Sequence, residues 1–428
     1  MKKLLLSALL LSATLASFAQ KDVSKYINEK EIKRVISVLA SDEMRGRRTF
    51  SPEIDKAADF LAKEFKAAGL KEWKEGEGYM QKFTLSSAKQ TAFKAVFDGS
   101  EADGKKVVVH TFQPQINITE TSGYEKATIA AGKPLFQEAM NFAGSNKNLI
   151  VLVDTSHARM FPRLSRLKSG AAATTNNVIF ILGTSVPNNF SIEATHEVTN
   201  QALANVVGII PGKSKKDEIV IFSGHYDHIG VGKAVNGDSI FNGANDNAAG
   251  TTAVVLLARY FKALNNNERT LVFAAFTGEE VGGFGASYFS KQYDPEKVMA
   301  MFNIEMIGTD SKWGANSAYI TGYDKSSMGE ILQNNLKGTG FTFHPDPYTS
   351  QQLFYRSDNA TLARLGVPAH TISTAKMDDE PHYHKQSDHV ETLDLKNMAK
   401  IIESIALSSR GIVAGKETPS RVDTSQLR

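Results

Sequence analysis

Hydrophobic and polar positions change rhythm twice along this chain. Between residues 27 and 70 the apolar positions recur at helical spacing: Ile32, Val35, Ile36 and Leu39, then Ile54, Ala57, Ala58, Leu61 and Phe65. That period predicts two amphipathic helices. Asn28 is placed to cap the first, Ser51-Pro52 to open the second and Gly69 to end it. From 72 to 204 the pattern breaks into short β-rich runs at 93–97, 106–112, 149–153 and 178–182, while 139–147 and 169–177 read as loops. From 205 onward apolar runs at 205–210, 218–223, 270–277, 298–304, 318–321 and 369–373 alternate with helical stretches at 248–264, 285–292, 327–337, 359–365 and 397–412. Continuous apolar strands suit a sheet covered on both faces. The pattern predicts a three-layer α/β/α domain with a mixed, mostly parallel sheet, plus a smaller β-rich insert. The expected division is 20–87 for the N-terminal helices, 88–204 for the insert, 205–414 for the main domain and 415–428 for a polar tail that frays.

The first nineteen residues stand apart. Lys2-Lys3 precede an apolar run from Leu4 to Leu15, and Ser17-Phe18-Ala19 carries small residues where a signal peptidase cuts. Cleavage before Gln20 and export to the periplasm or beyond are expected. The run is too short to span a bilayer comfortably, and no other apolar run reaches that length, so no stable membrane insertion is expected. The 428 residues contain no Cys, which excludes disulfides, thiol nucleophiles and thiolate metal ligands. Net charge is +3, and Lys213-Ser214-Lys215-Lys216 is the main basic run, which argues against nucleic-acid binding.

With thiols excluded, any metal must sit on His, Asp and Glu. These residues gather at the ends of the apolar runs. His225-Tyr226-Asp227-His228 follows the run ending at Ser223. Imidazole is a good zinc ligand, and Asp227, two residues on, is placed to accept the second ring N–H of His225. Asp246 lies in Gly243-Ala244-Asn245-Asp246-Asn247-Ala248-Ala249-Gly250, where small residues allow close backbone approach and a carboxylate can either bridge two cations or cap the next helix. Glu279-Glu280 follows a strongly apolar strand, and paired carboxylates at a buried strand end need a compensating cation or proton. Glu305 interrupts an otherwise apolar run. His384 lies within His382-Tyr383-His384-Lys385-Gln386-Ser387-Asp388, and Arg356-Ser357-Asp358 is placed either to line the site or, the favoured reading, to cap the helix that follows. Two histidines and three carboxylates, one of them bridging, would hold two zinc ions, leaving a fourth carboxylate for general-base work. Gly230-Val231-Gly232 does not open a helix, so a nucleotide-binding turn is excluded there.

In order, these motifs resemble those of the co-catalytic zinc aminopeptidases, a family that also holds glutamate carboxypeptidase-like enzymes and glutaminyl cyclases. The resemblance covers about 25–85, including the stretch from Leu39 to Arg47, and 205–412. It implies a zinc exopeptidase acting on peptide substrates, with two Zn2+ per chain. His225 and Glu305 would hold one metal, Glu280 and His384 the other, and Asp246 both. Asp227 would support His225, and Glu279 would be the general base for a metal-activated bridging water. The resemblance also implies a cis peptide after Asp246. The family's usual residue at the Glu305 position is Asp, one methylene shorter, so this chain would hold that metal with a shifted ion or backbone. An aminopeptidase is the leading expectation. A one-zinc glutaminyl cyclase using Asp246, Glu280 and His384 is the alternative, and a binding module without activity comes third.

Overall fold

The computed structural model describes residues 23–427, so the expected signal peptide lies outside the described residues. The described chain forms two compact units. One comprises 23–82 and 204–427, and the other comprises 83–203.

The N-terminal part of the first unit carries helix α1 (Glu29–Leu39) and helix α2 (Pro52–Ala67). Asn28 accepts the Glu31 N–H and so caps α1. Ser51 precedes Pro52 as expected, but its hydroxyl makes no capping bond. Strand β1 (Met80–Phe97) then leads into the second unit.

That second unit is built on a four-stranded sheet. Its strands are β2 (Val107–His110), β3 (Glu125–Ile129), β4 (Leu149–Val153) and β5 (Val178–Leu182), in the order β2-β5-β4-β3. Helix α3 (Leu135–Ala143) occupies part of a stretch expected as loop. Its buried residues Leu135, Ala139 and Ala143 follow a helical period. The Gly144-Ser145-Asn146 run that suggested a loop only ends it. Strand β6 (Phe190–Ile210) brings the chain back. β1 and β6 span 18 and 21 residues, far longer than the apolar runs that announced them. The first stretch of each strand alternates buried and less buried positions, which weakens the apolar signal.

The main layers of the first unit are completed by β7 (Lys215–His225), α4 (Gly250–Leu264), β8 (Arg269–Phe276), α5 (Phe284–Ser290), β9 (Val298–Ile304), β10 (Ser317–Ile320), α6 (Met328–Asn335), β11 (Thr342–Pro345), α7 (Asn359–Ala363), β12 (Ala369–Ser373) and α8 (Leu395–Ser408). The strand order is β11-β10-β12-β9-β7-β8-β6. The pairs β7/β8, β7/β9, β9/β12 and β10/β11 are parallel, whereas β6 and β10 run antiparallel to β8 and β12. The sheet is therefore mixed and mostly parallel.

Alternation along β7 shows why its run is continuously apolar. Val220 and Phe222 enter one core with α1, α2, α4 and α8, while Ile221 enters another with α5 and α7. Phe222 stacks between Phe273 and Phe302 at 5.4 and 4.8 Å. Both faces are covered, which gives the three layers.

The C-terminal tail does not fray. The buried Arg269 guanidinium donates to the Glu417 carbonyl and to Thr418 Oγ1, and Arg421 donates to the Val298 carbonyl at 2.9 Å. Polar composition hid this because the tail is held by the Glu417 carbonyl, by the polar side chains of Thr418 and Arg421 and by Val422, which is buried.

Candidate metal centre

Every nominated side chain except Asp246 follows a strand, at the carboxyl edge where open α/β sheets bind ligands. His225 ends β7, Glu279 and Glu280 follow β8, Glu305 follows β9, and His384 lies in the loop after β12. Asp246 sits in the turn that opens α4, and its peptide to Asn247 is cis.

The Gly/Asn turn works by contact. A Cβ on Gly243 would lie 2.3 Å from the Asp246 carbonyl oxygen and 2.5 Å from the His228 ring, and one on Gly250 would lie 2.1 Å from the Ile304 carbonyl oxygen. The two asparagines beside Asp246 clamp the Glu305 segment. Asn245 Oδ1 accepts the Gly308 N–H at 2.8 Å. Asn247 Oδ1 accepts the Met306 N–H at 3.2 Å, and its Nδ2 donates to the Ile304 carbonyl at 3.0 Å. Asn247 Oδ1 also takes the Gly250 N–H at the start of α4, so it is the asparagine that does the capping.

Two donor groups result. His225, Asp246 and Glu305 form one, and His228, Asp246 and Glu280 form the other; within each, the ligand atoms lie within 4.8 Å of one another. Asp246 is common to both. His225 Nε2 is 3.4 Å from Asp246 Oδ1. His384 Nε2 reaches the second group, 3.2 Å from both Asp246 Oδ2 and Glu280 Oε2. His228 is the addition. The H-Y-D-H spacing alone does not show which ring turns inward. His228 Nδ1 is 2.8 Å from Glu280 Oε1.

Asp227 is buried behind these groups. It accepts the Thr49 hydroxyl at 2.9 Å and the N–H groups of Glu279 and Glu280 at 3.1 and 3.3 Å. It therefore sets the turn that carries both glutamates. His225 Nδ1 faces the Asp227 carbonyl oxygen at 3.2 Å, closer than the carboxylate at 3.7 Å. The support expected from the Asp227 side chain thus comes mainly through its backbone. Asp358 does not cap α7 with its side chain. It is buried instead, with both carboxylate oxygens unpartnered.

The electrostatics are those of a carboxylate-rich pocket. Burial first, then the charges of Glu305, Asp358 and Asp227, push the Glu279 carboxyl well above its ordinary range, against the pull of His225. Burial also pushes Asp358 up to about 8 and raises Glu305. For Asp246 burial is again the largest influence, but the adjacent imidazoles of His225, His384 and His228 outweigh it and hold the carboxyl low. The donors fit zinc. His225 Nε2 and Glu305 Oε2 are buried without a hydrogen-bond partner, and imidazole with carboxylate is a zinc donor set.

Two further residues organise the centre. Asp388 accepts the N–H groups of Asn245 and Asp246, and the Ala244 N–H reaches its carbonyl oxygen. The fully buried Arg47 donates to the carbonyls of Leu39, Tyr226, Asn242 and Gly243.

Comparison with known proteins agrees with this layout. The family model described as "Peptidase family M28" matches residues 205–408. A probable leucine aminopeptidase of Trichophyton verrucosum is 30% identical over 204 residues, covering 45% of this chain and 53% of that protein. Aminopeptidase YwaD of Bacillus subtilis is 24% identical over 243 residues, covering 52% and 48%. The chain thus spans about half the length of the relatives it matches. In fold, it superimposes on an aminopeptidase from Aneurinibacillus sp. strain AM-1 with a TM-score of 0.53, 18% identity and coverage of 92% and 95%. A zinc aminopeptidase from Bacillus subtilis gives 0.52, 18%, and 90% and 95%. Through residues 205–408, the chain is therefore similar to peptidase family M28.

Proposed function

We propose that this protein is an exported, two-zinc aminopeptidase. The observation that carries the reading is the pair of donor groups sharing Asp246, with Glu279 lining the same cavity. His225 and Glu305 would hold one ion, Glu280 with His384 or His228 the other, and Asp246 both. Zinc bound there would polarise a scissile carbonyl and acidify water. Glu279 would take the proton of the attacking water and return it to the leaving amine. Met306, Leu353 and Met377 line the same cavity and suit an apolar N-terminal side chain. The buried, unpartnered donor atoms of His225 and Glu305 favour two metals over the one-zinc cyclase reading. Export rests on the sequence of the first nineteen residues, and among the described residues no helix is long and apolar enough to cross a membrane.

The test is a pair of otherwise identical peptides, one with a free and one with an acetylated N-terminus, incubated with zinc-loaded protein. Cleavage of the first residue from the free peptide alone supports the reading. Equal cleavage of both, or internal cleavage, contradicts it.

A further inference from the structure

The unit formed by 83–203 contains a groove of about 690 Å³. Val107 and Pro162 contribute apolar wall, Lys89, Lys105, Arg166 and Lys168 contribute positive charge, and no lining side chain is acidic. Lys168 is 6% exposed. Its ammonium donates to the Val109 carbonyl at 2.8 Å. Burial alone pulls it down to about 8, and no carboxylate offsets that loss of solvation. His110 and His196 nearby are held near 4, first by burial and then by the Lys168 charge, so both are neutral and neither adds a second positive charge. A buried cation with one neutral acceptor is costly, and an anion entering from the groove would relieve that cost.

We propose that this groove binds a medium-chain carboxylate, with the head group on Lys168 and the acyl chain along the apolar wall. The volume is that of a small-molecule site. Strand β2 lies at the edge of its sheet, so an added peptide strand is the competing occupant. The Val109 carbonyl, which such a strand would use, is already taken by Lys168. A lone anionic head group meets the remaining N–H bonds of the ammonium without displacing it.

Calorimetric titration of the full, zinc-loaded protein with decanoate, below its micelle concentration, tests this. Decanol and decyltrimethylammonium serve as head-group controls. We expect one decanoate per chain, about tenfold weaker binding of decanol, and no binding of the cation. Lys168→Met is expected to lose about tenfold in decanoate affinity with an unchanged melting temperature. Carboxylates also ligate zinc, so decanoate binding that survives Lys168→Met belongs to the metal centre and overturns the proposal. Equal affinity for all three amphiphiles overturns it too, on wild-type protein and so independently of how the variant folds. Displacement of decanoate by a capped, extended acidic peptide of higher affinity would overturn it in favour of strand addition.

Discussion

Asp388 holds Asp246 in place through the backbone. One of its carboxylate oxygens accepts the Asn245 N–H at 2.8 Å and the other accepts the Asp246 N–H at 3.0 Å. Asp388 lies four residues beyond His384, so one loop both offers an imidazole to the centre and orients the shared carboxylate. In Asp388→Asn an amide NH2 would face one of those N–H donors. Outer residues of this kind typically tune metal affinity by about 10–100-fold. We expect zinc affinity, measured by chelator competition, to fall in that range with the fold retained by circular dichroism.

Glu279 lies in the cavity without serving either donor group. Glu279→Gln keeps shape and removes the proton carrier. The variant is expected to bind as much zinc as the wild type and to lose about 10²–10⁴-fold in kcat. Elemental analysis and steady-state kinetics on one preparation check both halves. Loss of zinc together with activity would make Glu279 a ligand instead.

Arg47 joins four backbone carbonyls from three segments, at distances between 2.5 and 3.0 Å. Arg47→Ala would leave all four without that partner inside the protein. A loss of about 3–5 kcal/mol in urea unfolding is expected, by analogy with breaking a buried charged network. Arg47→Lys should recover only part of it, because an ammonium cannot span the same fork.

His370 sits in β12, fully buried, with Nδ1 2.8 Å from the Thr321 carbonyl oxygen and Nε2 2.7 Å from Ser326 Oγ. The neutral ring satisfies both by donating to the carbonyl and accepting from the hydroxyl. Burial holds its pKa down to about 4. The unfolded chain therefore binds a proton at His370 before the folded chain does. This stability is fully present above about pH 6.5 and is lost as pH falls toward 4, by roughly 3 kcal/mol. His370→Gln should flatten the pH dependence of unfolding free energy across that window, even if it lowers stability at pH 7.

Much of the fold and most of the centre were legible because the chain places ionisable residues where burial makes them costly. Glu305 within an apolar run and Glu279-Glu280 at the end of another are such signals, and the strands carrying them run straight from sequence to sheet. What was not legible acts across distance. His228 turns inward because of where Glu280 lies, 52 positions on. Asp388 acts on backbone 142 and 143 positions earlier, and Arg47 on carbonyls up to 196 positions later. Neither pairing leaves a periodic trace. The tail beyond Gly415 looks polar for the same reason: its anchors are the Glu417 carbonyl, the side chains of Thr418 and Arg421, and one valine.

The most direct measurement is mass spectrometry of a mixed peptide library with free N-termini, incubated with the zinc-loaded protein and in parallel with its Glu279→Gln variant. The account predicts stepwise loss of single N-terminal residues, apolar ones fastest, and little loss with the variant. Release of ammonia only from peptides that begin with Gln, or no change with two zinc ions bound, would contradict it.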